Sequence, residues 1–220
     1  MAKAQKQIDQ PEPRGQALLA LIAIGGINLA LPSWLNVAPR WVFPSIVLVL
    51  LIPSVVSHRI GRVRLNHILG IAISGVITLA LVSSLALLVG GLATQKEKGL
   101  ALLLSGAELW ISNVLVFALW YWRLDGGGPN ERDSHPTFGS RSFLFPQMQT
   151  EKSERNRFGI TEAWRPRFVD YLFIAMMQSS TFGPTDAPVL ARWAKVITMI
   201  QVFISLVIVV LLISHAVGAI

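Results

Sequence analysis

Apolar positions along this chain come in long unbroken runs, with the polar residues gathered between them. Five runs stand out, at about 16–35, 41–57, 68–93, 99–122 and 191–219. About 20 residues at a rise of ~1.5 Å cross a ~30 Å hydrocarbon core, so each run predicts a membrane-spanning helix. Pro44 and Pro53 sit near the ends of the second run, where proline disturbs a helix least. A sixth apolar piece, 168–178, is too short to span and reaches about half-way across. That length predicts a re-entrant helix, which persists at membrane depth only where protein or a watery cavity covers its ends. The expected fold is all-α: a polytopic membrane protein of five transmembrane helices, with a short re-entrant, pore-like helix before the last.

Composition agrees with this pattern. Hydrophobic residues make up 53% and charged residues 14%, against roughly 25% charged in a soluble domain. The net charge of +7 does not point to nucleic acid, because the basic residues flank apolar spans, where they set topology. Cysteine is absent, which excludes disulfides, thiolate metal sites and cysteine nucleophiles. The first run follows a basic N-terminus as in a signal peptide, but no Ala-x-Ala cleavage site follows it, so it reads as a retained helix.

The organisation expected is a polar tail (1–15), a four-helix region (16–124), a polar loop (125–165) and a C-terminal module (166–220). Gly126-Gly127-Gly128-Pro129 breaks the fourth helix. Within the loop, Phe143-Leu144-Phe145-Pro146-Gln147-Met148 is apolar and too short to span; it lies in the interface or plugs against the bundle. The 58–67 loop, with Arg59, Arg62 and Arg64, is the most basic short connection and is assigned to the cytoplasm, with the N-terminus on the same side.

The C-terminal module carries the most specific pattern: Ser180-Thr181-Phe182-Gly183-Pro184-Thr185-Asp186 between a short apolar helix and a full-length one. That layout resembles a potassium-channel pore module, whose Thr-Val-Gly-Tyr-Gly-Asp filter replaces the ion's water shell with backbone carbonyls. Thr181, Gly183 and Asp186 match, and Phe182 replaces Val. Pro184 and Thr185 depart, standing where Tyr and the second Gly belong. Pro184 removes an N–H, and Thr185 resists the positive φ a glycine allows. The outer sites of a potassium filter are therefore not expected. The plainer alternative is a helix stop at Gly183, a turn at Pro184, and Thr185 or Asp186 capping the next helix. The charge rule also places the preceding loop inside, whereas a potassium-channel pore helix enters from outside. Either the half-helix dips in from the cytoplasm, or 166–184 crosses as a short fifth span, or the charge rule, which long loops obey poorly, does not hold for this segment.

Three further features bear on function. Glu108 lies mid-way along the fourth run, on one helix face with Ser105 and Ser112, as a proton or cation site or as a protonated structural Glu. Thr198, Gln201 and Ser205, with Lys195, form a polar stripe on the last helix, lining a cavity or gluing helices together. His58, His67, His135 and His215 show no metal-ligand spacing, and there is no P-loop or Gly-x-Ser-x-Gly. No catalytic residue, metal or cofactor is expected.

Val169-Asp170-Tyr171-Leu172-Phe173, the Ser180–Asp186 segment and Ala191-Arg192-Trp193-Ala194-Lys195, with Leu124–Pro129 and Phe143–Met148, resemble the C-terminal signature of a group of bacterial integral-membrane proteins without an assigned activity. The resemblance covers roughly 124–220. It implies that Pro184 and Thr185 are habitual in the group, and it implies the bacterial inner membrane. The function expected is a channel-like membrane protein: a homo-oligomer, tetrameric by analogy, passing a monovalent cation through Thr181–Asp186. The alternatives are a non-conducting scaffold or subunit, and a proton-coupled carrier using Glu108. The partners expected are the lipid bilayer and further copies of the chain.

Overall fold

The computed structural model describes residues 12–93, 100–134, 141–155, 157–160, 164–181 and 185–218. The apolar runs form α1 (Gly15–Ala30), α2 (Val42–Arg59), α3 (Val63–Ala93), α4 (Leu100–Leu124) and, at the end of the chain, α9 (Arg192–Gly218). Between α4 and α9 lie the short α5 (Pro129–Ser134), α6 (Pro146–Gln149) and α7 (Lys152–Arg155), then the half-length α8 (Phe168–Thr181). Among the described residues there is no strand, only an isolated bridge between Phe143 and Val189. The chain is all-helical, and α2, α3, α4 and α9 are long and apolar enough to cross a membrane.

Two boundaries differ from the sequence expectation. The first run was expected to continue to 35, but α1 stops at Ala30 after 16 residues, about 24 Å of helix. Pro32 is the cause: the residue before a proline is driven out of the helical region, and Leu31 is extended at φ −52°, ψ 141°. A 3-10 turn, Ser33–Leu35, takes up the remainder. The third run was expected to begin near 68, yet α3 starts at Val63. Gly61, at φ +72°, makes the turn after α2 alone. Nothing after it breaks a helix, so Arg64, Asn66 and His67 belong to the first turns of α3 instead of to a loop.

Helix α4 is the centre of the bundle: α1, α3, α8 and α9 all pack against it. Half of its apolar window is buried, against 11% for α2, which packs mainly on α3. The outward residues of α2 (Leu48, Val49, Ile52) and of α9 (Met199, Phe203, Val210) are exposed and apolar, as suits surfaces that face hydrocarbon. Asn66 staples α3 to α2 by donating to Ser54 O at 2.7 Å.

One end of the bundle gathers the start of α1, the end of α2, the start of α3 and the end of α4. Glu12 accepts there from Trp122 Nε1, and Arg14 donates to Asn66 and Asn130. Arg59, Arg64 and Arg123 belong to these helix ends, Arg62 to the turn between α2 and α3, and Arg132 to α5 just after α4; we call this the basic end. Arg40 lies in the 31–41 connection at the opposite end.

Candidate functional site

The C-terminal module is fixed at both ends of α8. At the basic end the anchor is Asp125, which follows α4 and is fully buried. Its Oδ2 accepts from the Tyr171 hydroxyl at 2.7 Å and its Oδ1 from Ser142 N at 2.6 Å, while Arg141 Nη1 lies 3.9 Å away. One carboxylate thus ties the end of α4, the 141–145 segment and the first turn of α8. The turn itself needs glycine. Gly126, Gly127 and Gly128 have φ of +58°, +79° and +94°, and a Cβ on Gly128 would come within 2.7 Å of Arg123 O.

Arg132 closes the same junction from α5. It donates from Nη1 to the carbonyls of Trp122 and Asp125 and pairs with Glu12 at 2.8 Å. Burial lowers its pKa, but Tyr171, Glu12 and Asp125 outweigh that and hold the guanidinium above its ordinary value. Arg14 goes the other way: burial pulls its pKa down, with Asp133 and Glu12 opposing.

The far end of α8 lies at mid-bundle. Ser205, the middle residue of α9, donates to Ser179 O at 2.8 Å, and Trp110, mid-way along α4, donates to the Ser205 hydroxyl at 3.0 Å. Gln201 Nε2 reaches Ala175 O and the Ser179 hydroxyl, both at 2.8 Å. The Tyr121 hydroxyl donates to Gln201 Oε1 and lies 3.3 Å from Thr198 Oγ1, and Asn113 donates to Gln201 O at 3.3 Å. The pairings 175–201 and 179–205 rise together, so α8 and α9 run in the same direction.

The connection between them therefore returns to where α8 began. Val189 bridges Phe143, with Leu144 N donating to Pro188 O at 3.0 Å and Leu190 N to Ser142 O at 2.8 Å. Phe143 is fully buried, with its ring centroid 5.0 Å from Tyr121, 6.2 Å from Tyr171 and 6.5 Å from Trp193. Of the two expectations for 143–148, the plug is the one found for Phe143 and Phe145, both buried in the bundle.

The predicted site residues divide accordingly. The Ser180 and Thr181 hydroxyls are exposed and turn back to Met176 O and Met177 O of their own helix. Phe182, Gly183 and Pro184 lie outside the described residues. Thr185 donates to Ala187 O at 3.1 Å, and Asp186 is exposed. Neither caps α9, which starts at Arg192, so the capping alternative does not hold. Gln201 and Ser205 are fully buried between α8 and α4, and Thr198 is partly exposed. Ser105 and Ser112 are buried, while Glu108 is partly exposed and makes no hydrogen bond among the described residues. No group of three or more His, Asp or Glu among the described residues could hold a metal ion. Sequence reasoning missed Glu12, Asp125 and Arg132 altogether. The available signal was their place beside the glycine break and the ends of apolar runs, but pairing residues 120 positions apart needs the fold.

Comparison with known families, characterised proteins and solved structures finds no match to this chain.

Proposed function

We propose that the chain is a channel-like integral membrane protein in which α8, the following loop and α9 form a re-entrant hairpin, with α1 as the first of five crossings. One observation carries this reading. The chain enters beside Asp125, stops beside Ser205 at mid-bundle, and is back beside Phe143 and Tyr171 by Val189. By the charge rule the basic end faces the cytoplasm, so the hairpin enters from inside, the reverse of a potassium channel. In a four-fold assembly the Thr181–Asp186 segments of the copies would surround an axis. Thr181, Phe182 and Gly183 would offer oxygens to a monovalent cation, and Asp186 an acidic ring.

A second reading, a non-conducting scaffold or subunit of a larger assembly, is favoured by the burial of Gln201 and Ser205. Their polar atoms hold α8 in place, the familiar role of polar residues between packed membrane helices. The carrier reading rests on Glu108 alone and has less support.

Flux through liposomes holding the purified protein, under K⁺, Na⁺ and Cl⁻ gradients, separates the readings when run beside the oligomer mass. Cation flux from an oligomer, weakened by Asp186→Asn, supports the channel. A monomer, or no flux from folded and inserted protein, moves the assignment to the scaffold.

A further inference from the structure

At the basic end, where α3 begins and α4 finishes, a cavity of about 460 Å³ opens between the two helices. Arg64, Asn66 and His67 of α3, Arg123 of α4, and Asn130 and Glu131 of α5 line it. Pockets of this size, in a range of roughly 300–1,000 Å³, accept small ligands.

Arg123 is the unusual member. It is only 8% exposed, and its guanidinium crosses to α3 over Gly70, where an added Cβ would come within 1.8 Å of Nη1. Gly70 is what makes room for it. Trp122 lies beneath, with its ring centroid 5.2 Å from Arg123 Cζ. Arg123 Nε is buried without a hydrogen-bond partner, and no carboxylate among the described residues pairs with this guanidinium. The neighbouring cations are already engaged. Arg132 holds Glu12, and Arg14 holds Asn66 and Asn130 from behind the cavity.

A guanidinium stays charged when buried, and a buried charge without a counter-charge is costly. The cavity beside it has the chemistry of an anion site. Arg64 is a second cation at the exposed rim, and the first turn of α3 contributes the positive end of a helix dipole. Glu131 is the one acidic side chain among the lining residues.

We propose that this cavity binds the phosphate of an anionic ligand, with Arg123 as the buried contact and Arg64 as the outer one. A planar guanidinium matches phosphate through two parallel hydrogen bonds. The ligand is either an anionic lipid headgroup, which basic pockets between membrane helices recognise, or a soluble phosphate. The proposal is independent of whether the hairpin conducts.

The test uses the full-length protein in uncharged detergent, stripped of lipid and followed by native mass spectrometry. It is titrated separately with dioctanoyl phosphatidylglycerol, dioctanoyl phosphatidylcholine and inorganic phosphate. The expected result is preferential binding of phosphatidylglycerol, weakened about tenfold by Arg123→Gln or Arg64→Gln, as for loss of one charge-assisted hydrogen bond. Arg40→Gln, at the opposite end, leaves it unchanged. Inorganic phosphate binding with the same arginine dependence, and no preference among lipids, identifies the soluble source. Binding of neither ligand, or binding indifferent to both arginines, overturns the proposal. If Arg123→Gln does not fold, Arg64→Gln, which alters an exposed side chain, decides alone.

Discussion

Gln201 donates from Nε2 to the Ser179 hydroxyl at 2.8 Å, and the same nitrogen reaches Ala175 O, one turn earlier on α8. This clamp sets the register of α8 against α9. A slip of one turn along α9 would separate Gln201 from both partners and Ser205 from Ser179 O, breaking three hydrogen bonds in the buried interior.

The clamp predicts that Gln201→Leu destabilises the fold out of proportion to its modest change in volume. Ser179 and Tyr121 would each keep a buried hydroxyl with a lost partner. The cost of such orphaned groups is about 1–3 kcal/mol, reduced toward the lower end in membranes because the unfolded helices find other partners. Unfolding in mixed micelles should read a loss of about 1–2 kcal/mol. A loss no larger than that of Met199→Leu, on the exposed face of α9, would refute the clamp.

Much of this architecture is legible in the chain because the governing constraint is simple. Long apolar runs must become helices in hydrocarbon, and the 168–178 piece is too short to cross. A short helix was therefore expected there, and α8 runs only from Phe168 to Thr181, with Ser179 O bonded to Ser205 on α9. The purpose of the polar stripe was not legible. Thr198, Gln201 and Ser205 share a face whether that face meets water or another helix, and periodicity cannot tell the two apart. Only the positions of Ser179 and Asn113 decide what Gln201 touches. The anchors at the basic end were harder still. Asp125, Arg132 and Glu12 look like ordinary flanking charges until the glycine turn folds α5 back over the end of α4.

The Glu12–Arg132 pair gives a second prediction. Both side chains are nearly fully buried, and removing one partner leaves the other uncompensated. Arg132→Met should cost about 3–5 kcal/mol, because it also strips donors from the carbonyls of Trp122 and Asp125. Glu12→Leu should cost less, since Arg132 keeps those two carbonyls. The double variant should be less destabilised than the sum of the two, because the second change removes a charge that the first left stranded. Strict additivity in the double-mutant cycle would mean that the ion pair contributes nothing.

The proposed re-entrant hairpin and its side of entry can be tested because the chain contains no cysteine, so one introduced thiol reports alone. Asp186, Arg62 and Arg40 are all exposed. Arg62 lies in the turn between α2 and α3 at the basic end, and Arg40 lies at the opposite end. Asp186 follows the tip of α8 by a few residues and precedes Pro188, whose carbonyl is already bonded to Leu144 N at the basic end. In oriented vesicles, a membrane-impermeant maleimide should therefore label Asp186→Cys from the same side as Arg62→Cys, and Arg40→Cys from the other. Labelling of Asp186→Cys together with Arg40→Cys would make α8 a crossing segment and remove the re-entrant hairpin. It would also leave α9 starting on the side opposite to Tyr171, which is incompatible with Phe143 packing on both Tyr171 and Trp193.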